Sequence, residues 1–159
     1  MLDPVRLLDE MDEQMWTLLR RNLTGIAEDE ADWRPHPASN PVRWMVGHLA
    51  WFEEWAHDAL CEEGRYLIDD DPTAYLDGTM PELIERFAVA RGRYRARLEQ
   101  LTEYDLSKQL SYFGRYEVSG LELLKTHALH LAGHRFQVRY VRGTYSRAHG
   151  TRKADFDPW

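Results

Sequence analysis

Two histidines, His130 and His134, stand four residues apart in a segment with the periodicity of a helix. A helix turns by about 100° per residue, so the two imidazoles lie one above the other on a single face. His127, three residues before His130, falls on the same stripe. Three imidazoles are costly to bury unless their ring nitrogens have partners, and a divalent metal ion is such a partner. The pair alone supplies two ligands, so a third must come from elsewhere in the chain.

A third histidine, His48, lies in the middle of an apolar stripe on an earlier predicted helix. The aromatic members of that stripe are Trp44, Trp51, Phe52 and Trp55. A single histidine on such a face is most often a core residue bonded to a carbonyl group or to water. Because another helix carries an inward-facing histidine pair, we predict instead that His48, His130 and His134 share one metal ion. Three neutral imidazoles without a carboxylate or thiolate suit Zn²⁺, Ni²⁺ or Fe²⁺.

The residues around this predicted ion are assigned to binding rather than to catalysis. The four aromatic side chains beside His48 would form the apolar wall of a substrate pocket. Gln137, three residues after His134, faces the same way and could orient a ligand by hydrogen bonding. His127 would lie behind the ligands or face a substrate. The sequence offers no convincing general base, and a metal-free bundle with hydrogen-bonded core histidines remains the simplest alternative.

Four segments with apolar residues at three- and four-residue steps predict the helices that position these side chains. They cover about residues 3–25, 42–62, 79–101 and 119–143. The predicted buried face of the first consists of Leu7, Leu8, Met11, Met15, Leu18 and Leu19. Ser119 with Glu122 has the spacing of a capping box at the start of the last helix, and Gly143 stands where a C-cap would end it. Arg91 and the neighbouring arginines of the third helix are assigned to its solvent face.

Four amphipathic helices predict an all-α fold, a four-helix bundle with connections longer than minimal. Residues 65–78 form the longest irregular connection. The β-prone residues 110–118 predict one short hairpin, or an extended loop, before the last helix. We expect a single domain over residues 1–159, with the bundle at about 3–143 and a polar tail at 144–159.

The composition argues against several classes of function. A net charge of −7 disfavours nucleic-acid binding, which needs a basic surface. No apolar run reaches about 18 residues, so no membrane span is predicted. Cys61 is the single cysteine, which leaves neither a disulfide within the chain nor a cysteine-based metal cluster. The first residues have no signal-peptide core, so we predict a cytoplasmic protein. The expected partner is a small-molecule substrate, and a homodimer is also compatible with the sequence.

Two motifs resemble those of the DinB-like (DinB/YfiT) superfamily of metal-binding four-helix bundles. They are Gly47-His48-Leu49 on an aromatic second helix and His130-x-x-x-His134-Arg135-x-Gln137 on the last helix. The resemblance extends from the first helix to about Arg142 and implies that the three ligands are His48, His130 and His134. Residues 40–54 are most similar to the N-terminal domain of ergothioneine-type sulfoxide synthases, which supplies their iron-binding histidines. Those enzymes also use a C-terminal domain, so we do not transfer their reaction to this sequence.

The resemblance implies a metal-dependent transferase that acts on a low-molecular-weight thiol, because other members use mycothiol or bacillithiol. A metal ion lowers the pKa of a bound thiol and makes it a nucleophile at neutral pH. The expected cofactor is therefore one divalent ion, with the thiol as cosubstrate. Two alternatives stay open. One is a non-catalytic metal-binding module in stress response or ligand sensing, and the other is a hydrolase that uses metal-bound water.

Overall fold

The computed structural model of the protein describes residues 1–61 and 75–151, and four long helices dominate these ranges. In chain order the elements are α1 (Asp3–Leu23), α2 (Glu28–Asp32), α3 (Val42–Leu60), α4 (Met80–Leu98), α5 (Glu103–Ser107), β1 (Gln109–Tyr112), β2 (Tyr116–Ser119) and α6 (Gly120–Ala148). The two strands pair antiparallel as one hairpin. The predicted all-α bundle with a short hairpin before the last helix is confirmed.

The long helices pack in a pattern that brings α3 and α6 together. α3 packs mainly against α4, α1 packs mainly against α6, and a further contact joins α3 to α6. Two groups of buried apolar side chains fill the interior, one around Trp16 and Phe87 and the other around Phe52 and Tyr94. The α3–α6 contact matters most for function, because these two helices carry the three histidines predicted to bind metal. No helix in the described ranges is both long and apolar enough to cross a membrane.

The start of α6 is fixed by local hydrogen bonds and by one close backbone contact. The Ser119 amide donates to the Glu122 carboxylate at 2.7 Å, and the Glu122 amide donates to the Ser119 hydroxyl at 3.2 Å, which completes the predicted capping box. The Gly120 amide donates to the carbonyl oxygen of Lys108 at 3.1 Å. A Cβ atom at Gly120 would overlap the carbonyl oxygen of Asp105. Only glycine therefore allows α6 to begin against α5.

The end of α6 differs from the prediction. The helix continues through Gly143, which is buried, and ends at Ala148. Side chains on both sides of the glycine hold the helix against α2, where Arg142 donates to Glu30 at 2.7 Å and the Tyr145 hydroxyl donates to Asp29 at 2.9 Å. These tertiary contacts outweigh the local tendency of glycine to end a helix.

Two predictions concern residues that lie wholly or partly outside the described ranges. The irregular connection predicted at 65–78 includes residues 65–74, which are not described. The polar tail predicted at 144–159 begins later than expected, because α6 extends to Ala148. Residues 152–159 of this tail are not among the residues that the structure describes. Both remain predictions for those residues.

Candidate metal centre

Three histidine side chains from α3 and α6 point their Nε2 atoms at one another. His48 Nε2 lies 3.0 Å from His130 Nε2, and His134 Nε2 lies 2.9 Å from His130 Nε2. All three ligand atoms lie within 4.8 Å of one another, and each residue is half-buried. Two nitrogens bound to one ion by bonds of about 2.1 Å would be about 3.0 Å apart at right angles and about 3.4 Å apart at a tetrahedral angle. The spacing of this histidine site (His48, His130 and His134) therefore fits a single ion.

Without a cation, the hydrogen-bonding capacity of the histidine site cannot be satisfied. His130 Nε2 faces two other Nε2 atoms, yet it carries either one proton or one lone pair. It can therefore form a well-directed hydrogen bond with only one of them. The three Nδ1 atoms are buried and have no hydrogen-bond partner among the described residues. A cation that accepts a lone pair from each Nε2 would remove the conflict between these atoms.

The histidine site is also electrostatically prepared for a cation. Burial lowers the pKa of His48 to about 4, and the charge of His134 contributes to the shift. Burial lowers the pKa of His130 to about 3, with smaller contributions from His134 and His48. Burial lowers the pKa of His134 as well, although the nearby side chain of Gln137 partly opposes the shift. At neutral pH the rings are therefore uncharged, and their lone pairs are available to a metal.

A row of stacked aromatic rings extends from His48 along one side of the site. Trp44 stacks on the His48 ring with centroids 4.6 Å apart and planes 12° apart, and Trp51 stacks on it at 5.6 Å. Phe113, at the tip of the hairpin, stacks in turn on Trp51 at 5.5 Å. Its backbone has a φ of 52°, which is uncommon for a large residue. Phe113 was not expected from the sequence to join this aromatic wall.

The remaining predicted residues lie at different distances from the ligands. The edge of Phe52 meets His130 with ring centroids 4.2 Å apart. Gln137 is exposed and lies three residues after His134 on the same helix, and its role in orienting a ligand stays a prediction. Trp55 does not stack on a ligand. It packs against Phe113 at 4.1 Å and Phe52 at 5.4 Å, and so supports the wall from behind.

His127 belongs to a different group of side chains, to which each long helix contributes one residue. This charge cluster consists of Asp12 of α1, Glu53 of α3, Arg91 of α4 and His127 of α6. His127 Nδ1 lies 3.4 Å from Asp12 and its Nε2 lies 3.0 Å from Glu53. Arg91 donates to the same two carboxylates at 2.6 and 3.1 Å. All four side chains are buried. Two acids and two bases therefore neutralise one another inside the bundle.

The pKa of His127 shifts in the opposite direction from those of the histidine site. Burial alone would lower its pKa, but the charges of Glu53 and Asp12 outweigh burial and raise the pKa to about 10. Tyr94 stacks on the charged ring with centroids 4.1 Å apart. Each ring nitrogen thus faces a carboxylate, and the protonated ring offers no lone pair to a metal. The structure places His127 in the charge cluster, and a role behind the ligands or facing a substrate stays a prediction.

Arg91 and the two acids of the charge cluster also lie where the sequence did not lead us to expect them. Arg91, predicted to be on the solvent face of its helix, is only 2% exposed because it pairs with the buried acids. Asp12 and Glu53 were not singled out from the sequence. The signal that could have identified them is an acid at a position whose helical neighbours are apolar, since buried acids need a partner of opposite charge.

The comparisons with known proteins agree with this fold. The model of the DinB superfamily matches residues 11–138, which is most of the chain. The protein therefore belongs to the DinB superfamily, and the resemblance inferred from the two histidine motifs is confirmed. No curated protein matches the sequence significantly.

Two solved structures share the fold at low sequence identity. A conserved protein from Enterococcus faecalis has 17% identity and a TM-score of 0.72, and the match covers 91% of this chain and 98% of that chain. A DinB-like protein from Bacillus subtilis, YjoA, has 19% identity and a TM-score of 0.63, with 92% and 96% covered. Similarity at this level supports the bundle and its topology.

Proposed function

We propose that the histidine site binds one divalent metal ion and that the protein is a metal-dependent transferase acting on a low-molecular-weight thiol. The convergence of three Nε2 atoms from two helices carries the proposal. Their spacing suits one ion, their lowered pKa values keep them uncharged, and their mutual hydrogen bonds cannot all be formed. Three neutral imidazoles are ligands that Zn²⁺, Ni²⁺ and Fe²⁺ accept.

A thiol substrate suits the residues around this site. A divalent ion held by the three imidazoles would lower the pKa of a thiol and favour the nucleophilic thiolate. Trp44 and Trp51 supply a half-buried apolar wall beside His48, against which the carbon skeleton of a substrate can pack. Gln137, exposed beside His134, can hydrogen-bond to a polar group of the same molecule.

The pairing of the buried acids favours thiol chemistry over hydrolysis. Asp12 and Glu53 are engaged by His127 and Arg91, so neither is free to act as a general base. Water ionises with a pKa of about 15.7 and depends on the metal to bring that value to about 7, whereas a free thiol already ionises near about 8.5 and needs less assistance. A site with metal ligands and an apolar wall but no available base therefore suits a thiol better than a water molecule as the nucleophile.

The experiment follows thiol binding and then turnover. Protein purified without a nickel column is analysed for metal and titrated with a low-molecular-weight thiol while tryptophan fluorescence is recorded. We expect the emission to change in the metal-loaded protein and not in His48→Ala, because Trp44 and Trp51 stack on His48. A chlorinated aromatic compound or an epoxide is then added, and thiol consumption is compared with that of metal-free protein.

The outcomes separate the candidate functions. Faster thiol consumption by the metal-loaded protein supports the transferase. Thiol binding without turnover across a broad panel of electrophiles favours a sensing module that keeps its metal for ligand recognition. If no thiol binds to metal-loaded protein, the transferase proposal is wrong, and hydrolysis becomes the reaction to test.

A further inference from the structure

The outer face of α6 carries an exposed apolar stripe. Leu129 is 72% exposed, Phe136 is 56% exposed and Tyr140 is 63% exposed. Gly133 lies between them, and no atom is within 4 Å of the position that its Cβ would occupy. These four residues follow one another at steps of four, three and four residues, which is the spacing of a coiled-coil seam. A seam of this kind on the surface of a bundle is typical of a helix that packs against another helix.

The exposed stripe of α6 is complementary to the same stripe on a second copy of the helix that runs in the opposite direction. A helix packed antiparallel to its own copy about a two-fold axis brings residues equidistant from the axis together. Three pairs share one midpoint, which falls between positions 134 and 135: Glu122 with Arg147, Leu129 with Tyr140, and Gly133 with Phe136. In these pairs an acid meets a base, two large apolar side chains meet, and an aromatic ring meets the open space above a glycine.

The shape of the surface supports the same arrangement. A shallow groove of about 310 Å³ lies on this face of α6, beside the seam. It is lined by Phe136, Arg139, Tyr140, Gly143 and Arg147. The paired ends, Glu122 and Arg147, are about 37 Å apart along the helix. Charge complementarity at both ends of so long a seam fixes the register of the two helices as well as their direction.

We propose that two copies of the protein form a symmetric dimer through antiparallel α6 helices, with Phe136 of each placed over Gly133 of the partner subunit. His130 and His134 lie on a different face of α6, which points at His48 of α3. The inference rests on the outer surface of α6 and is independent of the proposed metal.

The decisive substitution is Gly133→Gln, because it fills the space reserved for the partner without disturbing the subunit. The position is open, and glutamine has a higher helix propensity than glycine, so the monomer should fold at least as well as wild type. Gly92→Gln is a matched control. Gly92 is also an exposed glycine inside a long helix, α4, with no atom within 4 Å of its Cβ position.

Analytical ultracentrifugation over a roughly hundredfold range of concentration measures the outcome. We expect wild type and Gly92→Gln to sediment as dimers, and the dimer dissociation constant of Gly133→Gln to rise by at least about tenfold. Arg147→Glu should also weaken the dimer, because the reversed charge would face Glu122 of the partner subunit. Circular dichroism checks that each variant is folded. A monomeric wild type, or equal dimerisation by the two glycine variants, would overturn the proposal.

Discussion

The histidine site and the charge cluster each bring potential metal ligands close together but have opposite chemistry. Each brings three potential metal ligands within 4.8 Å of one another. In the charge cluster, both nitrogens of His127 face carboxylates and Arg91 binds the same carboxylates, so no lone pair on that ring is free. In the histidine site, three uncharged rings point their Nε2 atoms at one another. Proximity of ligand-type residues therefore indicates a metal only where their lone pairs lack protein partners.

The two regions also differ in what their loss would affect. The charge cluster joins one side chain from each long helix deep in the interior, where an unpaired charge is very costly. The histidine site joins only α3 and α6 and is half-buried. We therefore expect loss of the charge cluster to lower the stability of the fold, and loss of the histidine site to lower the metal content.

The largest effect is expected from removal of a ligand of the histidine site. The variants are His48→Ala, His130→Ala and His134→Ala. Each should lower metal affinity by more than about 100-fold, because even residues behind a metal's ligands affect affinity by about 10–100-fold. Chelator competition and elemental analysis measure the loss, with His36→Ala and His149→Ala as controls. Equal metal retention in all five variants would identify the three residues as core histidines.

Removal of His127 should give the opposite pattern. His127→Ala leaves Glu53 and Asp12 without one of their cationic partners, so we expect the free energy of unfolding to fall by about 3–5 kcal/mol. Metal binding should weaken much less than in the ligand variants. Urea denaturation and metal titration of the same preparation test both statements. Loss of metal with unchanged stability would contradict the separation of the two regions.

The dependence of stability on pH should have opposite signs in the two regions. The folded-state pKa of His127 is about 10, above its ordinary value of 6.5, so its contribution is complete below 6.5 and is lost as the pH rises through 10. The folded-state pKa of His48 is about 4, so metal-free protein loses stability as the pH falls from 6.5 towards 4. The urea concentration at the midpoint of unfolding, measured from about pH 4 to about pH 10, gives the dependence of stability on pH in both intervals. The alkaline slope should be shallower in His127→Ala, and an unchanged slope there would contradict the assignment.

The smallest effect is expected at Phe52, which touches both regions. Its ring stacks on His127 with centroids 5.6 Å apart and meets His130 at 4.2 Å. Phe52→Leu keeps most of the volume and removes both ring contacts, so we expect about 1–2 kcal/mol less stability and a metal affinity lowered only a few-fold. Denaturation and chelator competition are again the measurements. A loss of metal as large as that in His130→Ala would show that the two regions are coupled.

The sequence was sufficient to predict the features that depend on local spacing. Helical periodicity located the four long helices, and the Ser119–Glu122 capping box marked the start of α6. His130 and His134 could be placed on one face because a helix fixes their angular separation. His48 could be added because it lies inside an apolar stripe. The meeting of the two helices, which brings His48 to His130, could be expected only from the bundle architecture.

The buried face of α1 could not be predicted in the same way. The structure exposes 60% of Leu7 and 49% of Met11, and it buries Asp9 and Asp12 instead. Hydrophobic patterning assumes that acids face water, and it fails where arginines of a neighbouring helix accompany the acids into the interior. Arg95 supplies that partner for Asp9 at 2.7 Å, as Arg91 does for Asp12. Such pairing depends on contacts between distant parts of the chain.

The contact between Gly120 and the carbonyl oxygen of Asp105 has a consequence for relatives of this protein. His130 and His134 lie ten and fourteen residues after that glycine on one continuous helix. Displacing the start of α6 by one residue would rotate both imidazoles by about 100° away from His48. A homologue that keeps the contact should therefore keep both the glycine and its sequence distance from the histidine pair. Insertions within that interval should be confined to homologues that have also lost the pair.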